Sequence, residues 1–136
     1  MKTITTKDAV VAYNHINKLK LQPLDNEEIL AFLNVKKTIR PIVKAYEEFA
    51  EDARKQIITE DISSIVQRAQ AKEEVTDEDA KKVMDAELRL RSIFKTEESK
   101  EHELDLPTLT TATLVKLIKE CGMEAQDEDM LYFLFE

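Results

Sequence analysis

Between positions 24 and 58 apolar residues recur at alternating steps of three and four: Phe32, Val35, Ile39, Ile42, Tyr46, Phe49 and Ala53. A period of about 3.5 residues holds one stripe on a single helix face. Leu33, Val43, Ala50 and Ile57 widen the stripe and predict packing against more than one helix. The start of the element is marked chemically. Asp25 is a favourable N-cap, Glu28 stands where the other half of a capping box belongs, and Leu24 and Ile29 occupy the two positions of a hydrophobic staple. From Asp25 to Ile58 the helix is about 50 Å long at roughly 1.5 Å per residue. A rod of that kind cannot bury its stripe alone. Pro41 lies inside the pattern, where it removes one backbone donor and crowds the Lys37 carbonyl, so a kink is expected. The stripe keeps its phase from Ile39 through Ile42 to Tyr46, which predicts one bent helix and not two.

The flanking segments are shorter. Residues 1–5 alternate Lys2 and Ile4 with Thr3 and Thr5 and are β-prone. Thr6 is expected to cap a first helix with Val10, Tyr13, Ile16 and Leu19 as its apolar line, ended by Gln22-Pro23. Past Ile58 the phase slips and resumes at Ile62, Ile65, Val66 and Ala69. Either the long helix continues through a stutter to about Lys72, the reading preferred here, or it restarts after Thr59. Thr76, followed by three acids, opens another helix carrying Val83, Met84, Leu88, Leu90, Ile93 and Phe94. The short connection before it makes antiparallel neighbours.

Residues 96–103 are polar and expected to be exposed. Residues 102–106 then alternate with period two and stop at Pro107, a short strand for which 1–5 is the available partner. Thr110 or Thr111 starts a helix that stops at Gly122, the sole glycine, where a left-handed C-cap belongs. Asp127 is expected to cap a last helix with Met130, Leu131, Phe133, Leu134 and Phe135. That tail is too apolar to float free, so it docks on the long helix or binds a partner, with Phe133 and Phe135 as the partner-binding candidates. The implied fold class is mainly α: a long kinked helix in an antiparallel hairpin or bundle, short flanking helices, a minor two-stranded β-pair of 1–5 with 102–106, and one domain over 1–136.

Composition agrees with helices. Of 136 residues 35% are charged, one is glycine, and aromatics are few. The lone Cys121 excludes an intramolecular disulfide and fits a reducing compartment. No apolar run approaches the roughly 20 residues that span a membrane, and no signal-peptide pattern precedes Lys7, so a cytoplasmic location without membrane association is expected. The net charge of −8 is uneven: +3 over residues 1–24, −1 over 25–58, and −5 in each of 59–103 and 104–136. That balance argues against general nucleic-acid binding, which needs dense Lys and Arg to displace counterions.

Little in the chain suits catalysis. Cys121 has no neighbouring histidine and reads as a buried thiol; His15 and His102 lack metal-ligand spacing. Glu47, Glu48, Glu51 and Asp52 face the same way in pairs, but no Glu-x-x-His motif joins them, so a solvated face is expected and no metal. Asp127-Glu128-Asp129 lacks the glycine and spacing of a calcium loop. One glycine cannot build a phosphate loop. The basic signal is sharper. Lys36, Lys37, Arg40 and Lys44 set four cations along one face beside Pro41. They form either a solvated face with pairs such as Lys44 to Glu48, or a site for an anion or an acidic partner with Arg40 as a fork-shaped donor.

The order of elements, and the stretch Glu101-His102-Glu103-Leu104-Asp105-Leu106-Pro107-Thr108-Leu109-Thr110 in particular, resembles small phage- and prophage-encoded proteins of unknown function that share an E-x-x-x-D-L-P-x-L segment. The resemblance implies phage origin and a role in the host cytosol, and it brings no catalytic residues. The function expected is that of a non-enzymatic accessory or assembly factor acting on a host or phage protein, without cofactor. The 3.5-residue seam and the apolar tail predict a homodimer through the long helix. The alternative is an anti-defence protein that sequesters a nucleotide signal or mimics DNA with its acidic surface.

Overall fold

A computed structural model describes residues 1–135. They are mainly helical, with a small two-stranded antiparallel sheet. Length predicts one domain; the chain forms two compact units, Met1–Ala45 with Ser99–Glu136, and Tyr46–Glu98. The long helix supplies residues to both.

In the first unit β1 (Lys2–Thr5) pairs antiparallel with β2 (Glu101–Leu104), Lys2 opposite Leu104 and Ile4 opposite His102. The expected pairing is present. Helix α1 (Thr6–Lys18) follows at once, but its cap is Thr5 and not Thr6. The Asp8 amide donates to Thr5 Oγ1 and the Thr5 amide to Asp8 Oδ2, both at 3.1 Å, a complete capping box. Thr6 is buried instead, its Oγ1 2.8 Å from His102 Nε2 and its amide donating to the Lys100 carbonyl at 2.9 Å.

Helix α2 (Asn26–Ile57) passes through Pro41 without a break, as the unbroken phase predicts. Its start is the Asp25/Glu28 capping box: the Glu28 amide donates to Asp25 Oδ1 at 2.8 Å and the Asp25 amide to Glu28 Oε1 at 3.2 Å. Phe32, Val35, Ile39 and Val43 bury one face against Ala9, Ala12 and Ile16 of α1 and Leu117 and Cys121 of α5 (Thr111–Glu120), in a single core cluster. Beyond α5, Gly122 takes the left-handed φ of 83° that its place after the helix demands. Met123 turns back into the core, its amide donating to the Leu117 carbonyl at 3.1 Å.

The last segment departs from expectation. Ala125–Leu134 is a 3-10 helix interrupted at Leu131, and no side chain caps it; the Asp127 amide itself donates to the Glu124 carbonyl at 3.0 Å. Leu131, Phe133 and Leu134 are buried in the cluster and Phe135 packs against it. The Leu109 amide donates to the Leu134 carbonyl at 2.6 Å, and Lys2 Nζ to the Phe133 carbonyl at 2.7 Å. The apolar tail thus docks on the chain itself, chiefly against α1 and not along the long helix as expected.

The second unit holds the rest of α2, α3 (Glu60–Gln70) and α4 (Asp77–Glu98). Here the long helix does not continue to Lys72; the alternative, a restart after Thr59, is what forms. α2 ends at Ile57, and Thr59, in an extended conformation, caps α3 by accepting the Ile62 amide at 3.5 Å. Three β-branched residues in a row, Ile57 to Thr59, are poor helix interior, and Glu60 and Asp61 suit a new first turn. Thr76 caps α4 as expected, accepting the Asp79 amide at 3.1 Å. α4 also absorbs Thr96 to Glu98 from the polar run. The antiparallel neighbours are tied by Tyr46, whose hydroxyl donates to Glu98 at 2.8 Å, and by Arg54 over the Phe94 ring, 5.1 Å from its centroid. Desolvation, with Glu98 beside it, pushes the Tyr46 phenol up to about 12. Among the described residues no helix is long and apolar enough to cross a membrane.

Candidate functional site

With Phe32, Val35, Ile39 and Val43 committed to the core, the 3.6-residue period carries Leu33, Lys37, Arg40 and Lys44 onto the outward face of α2. Lys36 lies beside them, toward α1. Tyr13 of α1 forms the opposite wall, and its ring lies 5.7 Å from Lys36 Nζ, a cation–π contact. Together with Pro41 these residues line an open concavity of about 460 Å³. All four cations predicted from the sequence are thus brought to one groove, and the Tyr13 and Leu33 walls are added to them.

The electrostatics are one-sided. No carboxylate lines the groove, and none of its four cations is in an ion pair among the described residues. The i,i+4 pairing expected of Lys44 does not form. Four neighbouring positive charges in a chain of net charge −8 therefore stand without an ion-pair partner among the described residues. Arg40 offers a planar fork matched to a carboxylate, and the lysines offer mobile point charges. Pro41 has no amide hydrogen to give the Lys37 carbonyl, so this helix turn lacks one of its bonds at the groove floor.

A second, larger concavity of about 770 Å³ flanks the same helix on its other side and shares Lys37. Glu27, Leu30, Ala31 and Asn34 of α2 face Asp105, Leu106 and Pro107 across it. Leu30 and Leu33 are 59% and 50% exposed, large apolar side chains that no part of the unit covers.

The remaining sequence candidates fall elsewhere. Phe133 is 7% exposed within the core cluster of the first unit and half-buried Phe135 packs against that cluster, so they do not form an exposed partner-binding pair. The seam that predicted a dimer is likewise occupied at Phe32, Val35 and Ile39, which are fully buried by the chain itself. Cys121 is fully buried and its thiol is pushed up by desolvation, the opposite of an activated nucleophile. Buried His15 has no partner for Nε2 among the described residues, and His102 is held by Thr6. Glu51 pairs with exposed Lys55 at 3.2 Å, and no three His, Cys, Asp or Glu side chains of the described residues are placed to hold a metal ion.

One constellation escaped the sequence except for its capping half. Glu28 accepts the Thr113 hydroxyl at 2.7 Å and Lys116 Nζ at 2.8 Å, closing α2 onto α5. Its role is structural.

No protein-family model, no curated protein and no solved structure matches the chain.

Proposed function

We propose that the chain is a non-enzymatic interaction protein of phage origin, an accessory or assembly factor that takes an acidic segment of a host or phage protein into the groove of Lys36, Lys37, Arg40 and Lys44. The observation that carries this is the set of four cations without an ion-pair partner among the described residues, around an apolar floor of Leu33 and Pro41. A partner carboxylate gains charge-assisted hydrogen bonds there, and its apolar neighbours gain the two hydrophobic contacts. The groove is open and its donors Lys37, Arg40 and Lys44 are exposed side chains, which suits a chain segment that brings contacts of its own along the helix.

A nucleotide is the second reading, favoured by Tyr13. Its ring, already beside Lys36, offers a stacking face next to phosphate-binding charges.

Fluorescence anisotropy of a labelled glutamate-rich peptide, titrated with the protein at rising salt, tests the first reading. Expected is binding that weakens steeply with ionic strength, as for exposed charges within a Debye length, and that is lost in K37E/R40E/K44E. Equal binding by the charge-reversed protein, or none by the native one, overturns it. A melting temperature raised by nucleotides and not by the peptide selects the second.

A further inference from the structure

The cationic groove is one end of a longer feature. Leu30, Leu33, Lys37, Arg40 and Lys44 are all exposed and follow one another at steps of three, four, three and four. That is the a/d spacing of a helix seam, here on the solvent side of α2, opposite the stripe that builds the core. It covers 15 residues (Leu30 to Lys44), about 21 Å over the 14 steps between them at roughly 1.5 Å each, and both concavities run beside it. The seam is graded. Its first part is apolar and flanked by Glu27 and Asp105; its last part is wholly cationic.

We propose that this seam docks an amphipathic α-helix of a partner protein, laid antiparallel to α2. The inference rests on the acidic-partner reading of the groove and specifies the partner's form. Charge complementarity places the partner's acids over Lys37, Arg40 and Lys44 and a basic residue over Glu27 and Asp105, with apolar knobs between Leu30 and Leu33. A helix is itself favoured with acids in its first turns and bases in its last, and that order on this gradient sets the two helices antiparallel. A second copy of the same seam does not fit. Antiparallel self-pairing sets Leu30 against Lys44 and Leu33 against Arg40, and parallel pairing sets the three cations against each other.

The test uses three labelled peptides of about 18 residues and the full chain, since shorter helices are marginal in water. The first is a side-chain-stapled helix with glutamates in its first half, leucines at a and d in its second, and a terminal lysine. The second has the same composition with prolines breaking the helix. The third is the stapled helix with the charge order reversed. Expected is tightest binding of the first, weakened roughly tenfold by L30S/L33S and further by K37E/R40E. Equal binding of the proline-broken peptide overturns the helical seam while leaving the acidic-partner reading intact. Preference for the reversed helix overturns the orientation. Binding of none overturns both. Circular dichroism of each variant shows that the exposed substitutions leave the fold in place.

Discussion

Glu28 in the first turn of α2 and Lys116 in α5 are joined at 2.8 Å, with the Thr113 hydroxyl on the other oxygen of the same carboxylate at 2.7 Å. The Lys116 hydrogen bond first, and the Thr113 hydroxyl second, hold the Glu28 carboxyl down from an ordinary 4.5 to about 2. A carboxyl lowered in the folded state contributes stability that is complete above its unfolded pKa and is lost as pH falls through the folded one. Stability is therefore expected to drop between pH 4.5 and 2. In Glu28→Gln that part of the pH dependence disappears, together with about 1 kcal/mol of stability at neutral pH, discounted because Lys116 is partly exposed. Urea denaturation of both proteins at a series of pH values checks this; parallel curves sink it.

Among the described residues two adopt left-handed backbone, and they predict opposite signs. Gly122, at φ 83°, has nothing within 4 Å of where a Cβ would stand, so Gly122→Ala costs only conformational strain, about 1 kcal/mol. Lys72 sits at φ 61° in the turn after α3, where the Glu73 amide donates to the Arg68 carbonyl at 2.9 Å and the Lys72 amide to the Ala69 carbonyl at 3.1 Å. Those bonds form a Schellman motif with lysine where glycine is preferred. Lys72→Gly is expected to stabilise the protein by about 0.5 to 1 kcal/mol. A melting temperature that falls in this variant would falsify the assignment.

What could be read in advance follows from the range of each interaction. The start of α2, its passage through Pro41, the cap at Thr76 and the β-pair depend on residues a few positions apart or on period, and the sequence displays both. The end of α2 at Ile57 is not decided by pattern alone, because the run Ile57 to Thr59 and the resumed stripe at Ile62 and Ile65 pull opposite ways. The tail reads as a capped helix, but Lys2, Leu109 and the core hold it as a 3-10 segment from more than 20 positions away. At the groove the four cations were legible as one face. Tyr13 as its wall, and Leu30 with Leu33 as an uncovered extension, were not, because they depend on which face of α2 the first helix covers.

Lys2 ties the two ends of the chain. Its ammonium donates to the Phe133 carbonyl at 2.7 Å and the Pro107 carbonyl at 3.2 Å, both partly buried. Lys2→Met keeps the apolar stem and removes the donor, leaving two carbonyls without it, at an expected cost of about 1 to 2 kcal/mol. Hydrogen exchange should quicken at residues 132–135 and at Leu109, whose amide donates to Leu134. The α4 amides serve as the control. Unchanged protection of the tail would show that apolar packing alone holds it.

Phe133 and Tyr132 are neighbours with opposite fates. Phe133 is in the core, while Tyr132 is exposed, its ring 5.7 Å from that of Phe133 and its hydroxyl donating to Asp8 Oδ2 at 3.0 Å. If the tail were a free partner-binding segment, truncating either ring would leave stability unchanged and weaken binding. A docked tail behaves otherwise. Phe133→Ala opens a cavity in the cluster that Leu131 and Leu134 cannot fill without moving, at about 3 kcal/mol, or a melting temperature lower by roughly 10 °C in a chain of this size. Tyr132→Phe deletes one exposed hydrogen bond and should stay within about 0.5 kcal/mol. Calorimetry of the two variants separates the cases: equal, small shifts would detach the tail from the core, whereas a large shift in Phe133→Ala alone makes the last turn of the chain part of what folds the first unit.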